Sequence, residues 1–448
     1  MVMNIIVVGN GGREHTIAWK IAQSSKVEKV VCVPGNGGTA NESKCCNVEI
    51  KNCDYIKDGE NPYVQIAKHE GCEMAVIGPE DPLAEGLADV FWNAGIPCVG
   101  PKKAGAQLEA SKDLSKEFMA KYDVACAKSK TFTDQKEAEE YVRQHGAPIV
   151  IKADGLAAGK GVVVAATLEE ALAAVAELMD SNGRVGSAGA KLVIEDYLQG
   201  VEISVLAAVN VDPAHPENAC IIPFLPSRDH KRLMDGAKGP NTGGMGTVCP
   251  LDDVTDEMMA QFQKDCLEPT LKGLVSEGFD YRGFIFFGVM LTKNGPKLLE
   301  YNVRLGDPET QSVLPLMDFD FVEMCQAICD GSLKNFKFAW KKGYQVSPVV
   351  VSGGYPGSYP KGKKITLDNG KIAAGRAKIF VAGAIIDRRS EDNSMVTSGG
   401  RVLCCSSFGT TFEEAWKNAY TAIEGVSFEG SFYRKDIGLP GAAESGEL

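Results

Sequence analysis

The chain has 448 residues, 44% of them hydrophobic, which is enough for roughly three domains of about 150 residues, each with its own core. Its 47 basic and 59 acidic residues give a formal net charge of −12, which argues against a nucleic-acid partner because non-specific binding needs a positive field. No apolar run approaches the roughly 20 residues of a membrane-spanning helix and no signal peptide is recognisable, so we expect a soluble cytoplasmic protein without a membrane partner.

The 14 cysteines and five histidines limit the available chemistry. No cysteines form a C-x-x-C pair, no histidines are spaced as H-x-x-x-H or H-x-H, and G-x-S-x-G is missing. Zinc ribbons and thioredoxin-like sites need such pairing, and an α/β hydrolase needs the serine elbow. We therefore interpret the cysteines as reduced thiols in a cytosolic protein.

The first hundred residues alternate apolar β-type runs with helical segments. This alternation predicts βαβ units in a parallel sheet, with ligands at the carboxyl ends of the strands. The pattern then changes to one helical stretch over 104–122, which we interpret as a domain boundary.

The rest of the chain predicts two further domains. A strand, a glycine-rich loop and a second strand (APIVIKADGLAAGKGVVVAAT) precede an alanine-rich helix, and further strands flank a Gly/Pro-rich loop from 226 to 250 that has no regular pattern. From about 335 the pattern indicates a small α+β domain. The predicted fold class is thus a multidomain α/β and α+β protein that begins with a parallel sheet.

Two glycine-rich loops suit phosphate groups. Gly9-Asn10-Gly11-Gly12-Arg13 lies between a strand and a helix, but Glu14 stands where the dinucleotide fingerprint needs glycine, so we favour a phosphate ester over NAD. The segment 155–161 departs from a Walker loop in spacing and is followed by a strand, which predicts a flap over a polyphosphate with Lys152 and Lys160 as charge partners. In both loops the alternative is that the glycines only form tight turns.

Polar residues on three later segments complete a candidate site. Glu195, at the end of a strand, and Glu202 on the next suit an adenine slot and a ribose, although acids at strand ends are often only solvated. In the strand 299–304, Glu300, Asn302 and Arg304 share one face and Leu299, Tyr301 and Val303 the other, and the oxygen ligands suit Mg²⁺. The long loop from Arg228 to Gly246 predicts a lid or an anion clamp.

Taken together, GNGGREH, GPEDPLAEGL, IKADGLAAGKGV, EDYLQGVEIS, DHKRLMDGAKGPNTGGMG and LEYNVRLGDPETQ resemble the phosphoribosylamine–glycine ligase family of the ATP-grasp superfamily. The resemblance spans essentially the whole chain. It implies an N-terminal α/β domain (1–107), an ATP-grasp domain (108–320) with a mobile flap subdomain (about 125–198), and a C-terminal capping domain (335–440). Arg228, where the family often has Gln, departs from its pattern and blurs which groups contact glycine.

The resemblance also implies roles for individual residues. The ATP-binding residues it implies are Lys112, Lys152, Gly159, Lys160, Gly161, Glu195, Tyr197, Leu198 and Glu202. The substrate-binding residues are Gly11, Gly12, Arg13, Glu80, Asp229, Lys231 and Arg304. Glu300 and Asn302 match metal ligands, and catalytic roles fall to Arg304, Asp229 and Lys152.

The implied reaction joins glycine to 5-phosphoribosylamine with ATP and Mg²⁺ or Mn²⁺, through glycyl phosphate, in de novo purine synthesis. The implied partners are these small molecules, and the implied assembly is a monomer or a weak homodimer. Two alternatives stay open: another ATP-grasp carboxylate ligase, acting on a different ribonucleotide or on bicarbonate, and a silent nucleotide-binding homologue.

Overall fold

The computed structural model describes residues 2–155, 161–180, 183, 185–390 and 393–442. Gly159 and Lys160, both predicted to bind ATP, lie outside these residues. Within the described ranges, none of the helices has the length and apolar character needed to traverse a lipid bilayer.

The chain begins with a five-stranded parallel sheet, here called the N-terminal sheet. Its strands, in spatial order, are Cys45–Asn47, Val27–Pro34, Met3–Gly9, Cys72–Ile77 and Cys98–Val99. Its helices are Gly12–Ala22, Pro62–His69, Glu80–Glu85 and Leu87–Asn93. Side chains on both faces of the central strand are buried, as a parallel sheet covered on two sides requires. The predicted parallel α/β sheet is confirmed.

The single helix predicted over 104–122 is wrong in one respect. The structure has two helices, Lys103–Ala110 and Lys112–Lys121, separated by Ser111 in an extended conformation. The Ser111 hydroxyl accepts a hydrogen bond from the Leu114 N–H and donates one to Asp154 Oδ1. Serine at an N-cap satisfies a free amide and starts a new helix, and this outweighs the continuous helical pattern.

A four-stranded antiparallel sheet follows, here called the flap sheet. In spatial order its strands are Ser129–Phe132, Leu192–Asp196, Ile149–Ala153 and Val162–Ala165. The helices Gln135–His145 and Leu168–Met179 pack on one side of it and form a separate small core. The other side is free to face the rest of the molecule.

The flap sheet faces a second antiparallel sheet, here called the central sheet. In order its strands are Cys220–Pro223, Val201–Val211, Tyr281–Thr292 and Gly295–Asn302. Around it lie Asp256–Phe262, Gln263–Leu267 (a π-helical turn), Glu268–Ser276 and Phe321–Asp330, whereas Thr310–Val313 packs against the helix Gly12–Ala22. Apolar residues of this sheet and of the N-terminal sheet share two core clusters, so the two sheets are packed as one body.

The last sheet, here called the C-terminal sheet, corrects the prediction of a patternless loop over 226–250. In order its strands are Arg228–Asp229, Gly246–Cys249, Tyr344–Val351, Arg401–Gly409 and Ala377–Val381, with helices Asn369–Ala374 and Phe412–Ile423. Two strands of this sheet therefore come from the segment that was predicted to be irregular. Between them, Arg232–Met234 and Lys238–Asn241 form a hairpin. These strands have two to four residues, too short for their alternation to be visible in the sequence.

Candidate active site

A large cleft of about 1160 Å³ lies between the flap sheet, the central sheet and the C-terminal sheet. One end is apolar, and its lining includes Met119, Ala127, Val150, Val162, Leu198, Met290 and Leu299. The rest of the cleft is lined mainly by charged and polar groups. An apolar slot that opens into a charged chamber suits a ligand with a flat base at one end and phosphates at the other.

Three lysines and one carboxylate lie where the slot meets the charged chamber. Glu195 Oε1 is 2.9 Å from Lys152 Nζ, and Glu195 Oε2 is 3.1 Å from Lys116 Nζ. Burial lowers the pKa of Lys152, but the carboxylates of Glu195 and Glu300 outweigh it, so the net shift is upward and the ammonium is kept charged. Lys112 Nζ donates to the Gly155 carbonyl at 3.1 Å, and burial lowers its pKa.

Lys116 was not among the predicted site residues. Its signal in the sequence was its position four residues after Lys112, which places both side chains on one face of the helix Lys112–Lys121. Tyr197, Leu198 and Gly161, predicted to bind ATP, line the cleft, as does Glu202. Glu195 also lines it, held between two ammonium groups at its inner end.

The predicted two-residue alternation of the strand 299–304 is wrong at Leu299. Gly288 pairs with Glu300 and Val289 with Leu298, so Leu299 forms a β-bulge. Leu298 is fully buried in the core, whereas Leu299 lines the cleft beside Glu300. The bulge adds an apolar wall to the slot without moving Glu300 out of the cleft.

Glu300 and Asn302 fit a divalent metal. Burial raises the pKa of Glu300, but Lys231, Lys152, Lys112 and Arg304 more than offset it, so the carboxyl is held ionised. Asn302 Nδ2 donates to Glu109 Oε1 at 3.1 Å, which leaves its Oδ1 as the available ligand atom. Within the described ranges no group of three or more His, Cys, Asp or Glu could hold a metal alone. Two oxygen ligands, completed by phosphates and water, are a donor set that Mg²⁺ accepts.

Arg304 connects this strand to the N-terminal sheet. It donates to Glu80 Oε2 at 3.2 Å and to Glu109 Oε1 at 2.8 Å, and Arg13 Nη2 lies 3.7 Å from the same Glu80 oxygen. Glu109, which the sequence prediction missed, is buried, and its burial raises its pKa. Nothing in the helical pattern around Glu109 marks it as more than a solvated acid.

The N-terminal glycine loop is placed differently from the other predicted residues. Gly11, Gly12 and Arg13 are not among the residues that line the cleft, while Glu80 and Arg304 are. The carboxylate of Glu14 accepts the Gly11 N–H and the Arg13 Nε–H, both at 2.5 Å. The Gly11 N–H, which was predicted to bind a phosphate, therefore already donates a hydrogen bond to Glu14.

Asp229 and Lys231 face the far end of the cleft. Lys231 forms an ion pair with Glu202, and the carboxylates of Glu202 and Glu300 raise its pKa above the lowering effect of burial. Asp229 has a buried Oδ1 without a hydrogen-bond partner among the described residues, and burial together with Glu309 raises its pKa well above the usual value. Glu309, also missed from the sequence, accepts a hydrogen bond from Ser204 Oγ at 2.9 Å.

Two antiparallel sheets that enclose a base-sized slot, with buried lysines beside it and oxygen ligands at its inner end, define an ATP-grasp enzyme. The comparisons with known proteins agree with this class. Three family models match: the phosphoribosylglycinamide synthetase N domain over residues 3–109, its ATP-grasp (A) domain over 110–310, and its C domain over 345–440. The chain belongs to the phosphoribosylglycinamide synthetase family, and the resemblance found in the sequence is confirmed.

Individual relatives match over nearly the full chain. A phosphoribosylamine–glycine ligase of Clostridium acetobutylicum is 46% identical over 97% of this chain and 99% of its own length. One of Salmonella typhimurium is 44% identical over 97% and 98%. The crystal structure of the Thermotoga maritima ligase superposes with a TM-score of 0.79 at 34% identity, covering 97% of this chain and 100% of its own. The biotin carboxylase domain of a Hydrogenobacter thermophilus 2-oxoglutarate carboxylase, with a TM-score of 0.66 and 17% identity, shares the fold over 96% of this chain and 92% of its own.

Proposed function

We propose that the protein joins glycine to 5-phosphoribosylamine at the expense of ATP, forming glycinamide ribonucleotide, ADP and phosphate in purine biosynthesis. The observation that carries this proposal is the cleft itself, which combines a base-sized slot, buried lysines and a second charged end with unpaired carboxylate oxygen. Its relatives, named phosphoribosylamine–glycine ligases, support the choice of substrates.

The chemistry needs positioning and charge neutralisation rather than a protein nucleophile. In the proposed reaction, a glycine carboxylate oxygen attacks the γ-phosphorus of ATP, the bond to the bridging oxygen breaks, and ADP leaves. The amine of phosphoribosylamine then attacks the acyl carbon of glycyl phosphate, phosphate departs, and the amine nitrogen loses a proton as the amide forms.

In this proposal, different residues of the cleft bind ATP, the metal ion and the two other substrates. Lys112 and Lys152 neutralise phosphate charge, and Glu202 receives the ribose. Glu300 and Asn302 would hold Mg²⁺ or Mn²⁺, which when bound would stabilise charge on the β- and γ-phosphate oxygens. Asp229 and Arg304 orient the two substrates at the far end.

The predicted domain limits, 1–107, 108–320 and 335–440, belong to the same proposal, as does a monomer or weak homodimer. A cytoplasmic site of action is supported by the 14 cysteines, all of which are free thiols. Sedimentation velocity over a range of concentrations tests the assembly state.

The deciding experiment measures ADP formation by the purified protein with ATP, Mg²⁺ and each substrate omitted in turn. ADP must depend on glycine, and glycinamide ribonucleotide, identified by mass spectrometry, must appear only with both glycine and phosphoribosylamine. ADP formed with bicarbonate in place of glycine would favour another ATP-grasp carboxylate ligase. ATP binding without glycine-dependent phosphate release would favour a silent homologue.

A further inference from the structure

His230 lies between Asp229 and Lys231, lines the cleft with them, and has a backbone partner at each ring nitrogen. It is buried, and its Nδ1 lies 3.1 Å from the Gly246 carbonyl, which can only accept a hydrogen bond. Its Nε2 lies 3.0 Å from the Gly438 N–H, which can only donate. These two backbone partners fix the imidazole as the neutral tautomer with its proton on Nδ1.

The neighbours of His230 are held in place through its backbone. His230 and Lys231 link the strands Arg228–Asp229 and Arg232–Met234, so fixing His230 also fixes the backbone from which the Asp229 and Lys231 side chains enter the cleft. The His230 backbone is paired as well, because its N–H donates to Gly246 and its carbonyl accepts from Met245. The direction of both cleft side chains is thus set by contacts of the residue between them.

The segment Arg434 to Gly438, here called the C-terminal clamp, supplies the other half of this anchor. Arg434 is fully buried and forms a two-pronged ion pair with Asp436, at 2.8 and 2.9 Å. Arg434 Nη1 donates to the Arg232 carbonyl at 3.0 Å, and Asp436 Oδ2 accepts the Gly236 N–H at 2.7 Å. The clamp therefore grips the hairpin that follows Lys231 as well as His230 itself.

Gly438 can hold His230 only as glycine. Its φ of +81° is a left-handed conformation, and a Cβ there would lie 2.6 Å from Val248 Cγ2 and 2.9 Å from the Phe412 ring. Any side chain would push the Gly438 N–H away from the imidazole. The hydrogen bond between Gly438 and His230 is therefore built into the backbone path.

We propose that His230, held by the C-terminal clamp, is a positioning residue that aims Asp229 and Lys231 at the glycine and phosphoribosylamine end of the cleft. This inference rests on the proposed function. It predicts that the clamp acts more strongly on the second substrates, through Asp229, than on ATP, whose proposed ribose ligand Glu202 pairs with Lys231.

The test compares KM values of His230→Ala, His230→Gln and Arg434→Lys with the unaltered protein. His215→Gln is the control, since its side chain is 63% exposed. We expect His230→Ala to raise KM for glycine or phosphoribosylamine at least tenfold with a several-fold smaller change in KM for ATP, and Arg434→Lys to shift the same KM less. Equal changes in all three KM values, or none, would overturn the inference. An unaltered protein without glycine-dependent turnover would instead refute the proposed function.

A second measurement is independent of turnover and of the folding of the variants. In the full-length protein with ¹⁵N-labelled histidine, the ring of His230 should show a protonated Nδ1 and a bare Nε2 at neutral pH. The opposite tautomer predominates for histidine free in water, so this spectrum is diagnostic of the two backbone partners. A His230 resonance with a protonated Nε2 would overturn the clamp geometry.

Discussion

At Glu300, four cationic side chains lower the pKa of the carboxyl and keep it ionised, as a metal ligand must be. We expect Glu300→Gln to reduce glycine-dependent phosphate release by a factor on the order of 100, because a charged ligand is lost where phosphate charge must be neutralised. The fold should persist, since the glutamine has nearly the same shape. Phosphate release and thermal unfolding of the variant measure the two effects.

Glu429→Gln is the matched control for this substitution. The Glu429 side chain is 79% exposed and pairs with Lys363 at the surface, so the same charge is removed where it contributes little. Turnover of Glu429→Gln should equal that of the unaltered protein. If Glu300→Gln were also unimpaired, the metal role of Glu300 would be wrong.

The buried imidazole of His230 makes stability depend on pH. Burial, Arg434 and Arg228 lower its pKa from 6.5 to about 4, against the opposing effects of the Gly246 carbonyl and Asp436. Between these values the unfolded chain binds more protons than the folded one, so stability falls as the pH drops through 6.5 towards 4. The total effect is on the order of a few kcal/mol.

Urea unfolding of the unaltered protein and of His230→Gln, at several pH values between 7 and 4, tests this expectation. Buried His15 also has a lowered pKa, so the quantity to compare is the difference between the two proteins. That difference should shrink as the pH falls, because glutamine does not titrate. A difference independent of pH would show that His230 is not held neutral.

Single residues also show what the sequence could and could not reveal. Lys152 was predicted because it lies on a strand next to a glycine-rich loop. Glu300 and Asn302 were predicted because they form a polar face on an otherwise apolar strand. Glu109 and Glu309 were not, because their surroundings are ordinary and only tertiary packing buries them beside Arg304 and Asp229.

At the scale of elements, periodicity predicted the long strands and failed where a local interaction overrides it. Ser111 divides a continuous helical pattern, and the bulge at Leu299 reverses the alternation of its strand. The short strands Arg228–Asp229 and Gly246–Cys249 gain their regularity only by pairing in the C-terminal sheet. Arg228–Asp229 pairs with Gly246–Cys249, and that strand depends in turn on Tyr344–Val351, about a hundred residues further along the chain, which a local window cannot contain.

The contact between the N-terminal and central sheets depends on two glycines. The Gly100 N–H donates to the Arg282 carbonyl at 2.8 Å, and a Cβ on Gly283 would lie 2.8 Å from the Gly100 Cα. Because the obstructing atoms are backbone, Gly283→Ala should separate the sheets and cost about 2 kcal/mol. The measurement is the thermal unfolding midpoint, with turnover as a check on the cleft.

Gly357→Ala is a fitting control, since the nearest atom to its added Cβ is a single carbonyl oxygen at 3.2 Å. It should change stability by no more than about 0.5 kcal/mol. An unfolding midpoint of Gly283→Ala equal to that of Gly357→Ala would contradict close packing of the two sheets.

At the scale of the whole molecule, charged contacts join all three parts of the chain across the cleft. Asp307 accepts the Arg13 N–H from the N-terminal part at 3.4 Å, and its carboxylate lies 3.5 Å from Arg401 of the C-terminal sheet. Arg401 also donates to the carbonyls of Asp307 and Gly243, and the Gly243 N–H donates to the Tyr355 hydroxyl at 2.8 Å. The net charge of −12 therefore does not describe the cleft, which is lined by both cationic and anionic side chains.

This arrangement predicts a joint loss of stability and substrate affinity in Arg401→Met. The substitution removes one of the two cations, Arg401 and Arg13, that hold the largely buried Asp307 carboxylate ionised, at a cost of about 2 kcal/mol after allowance for partial exposure. The substitution also removes the hydrogen bond from Arg401 to the Gly243 carbonyl. Because the next residue, Gly244, packs directly against Asp229, this loss should disturb the position of Asp229. We therefore expect KM for glycine to rise about tenfold while the affinity for an ATP analogue is unchanged. Urea unfolding, steady-state kinetics and calorimetry measure the three quantities, with the 92% exposed Arg389→Met as control. Equal weakening of ATP and glycine would mean that Arg401 supports the cleft as a whole, whereas a selective effect on glycine makes the C-terminal sheet part of the substrate site.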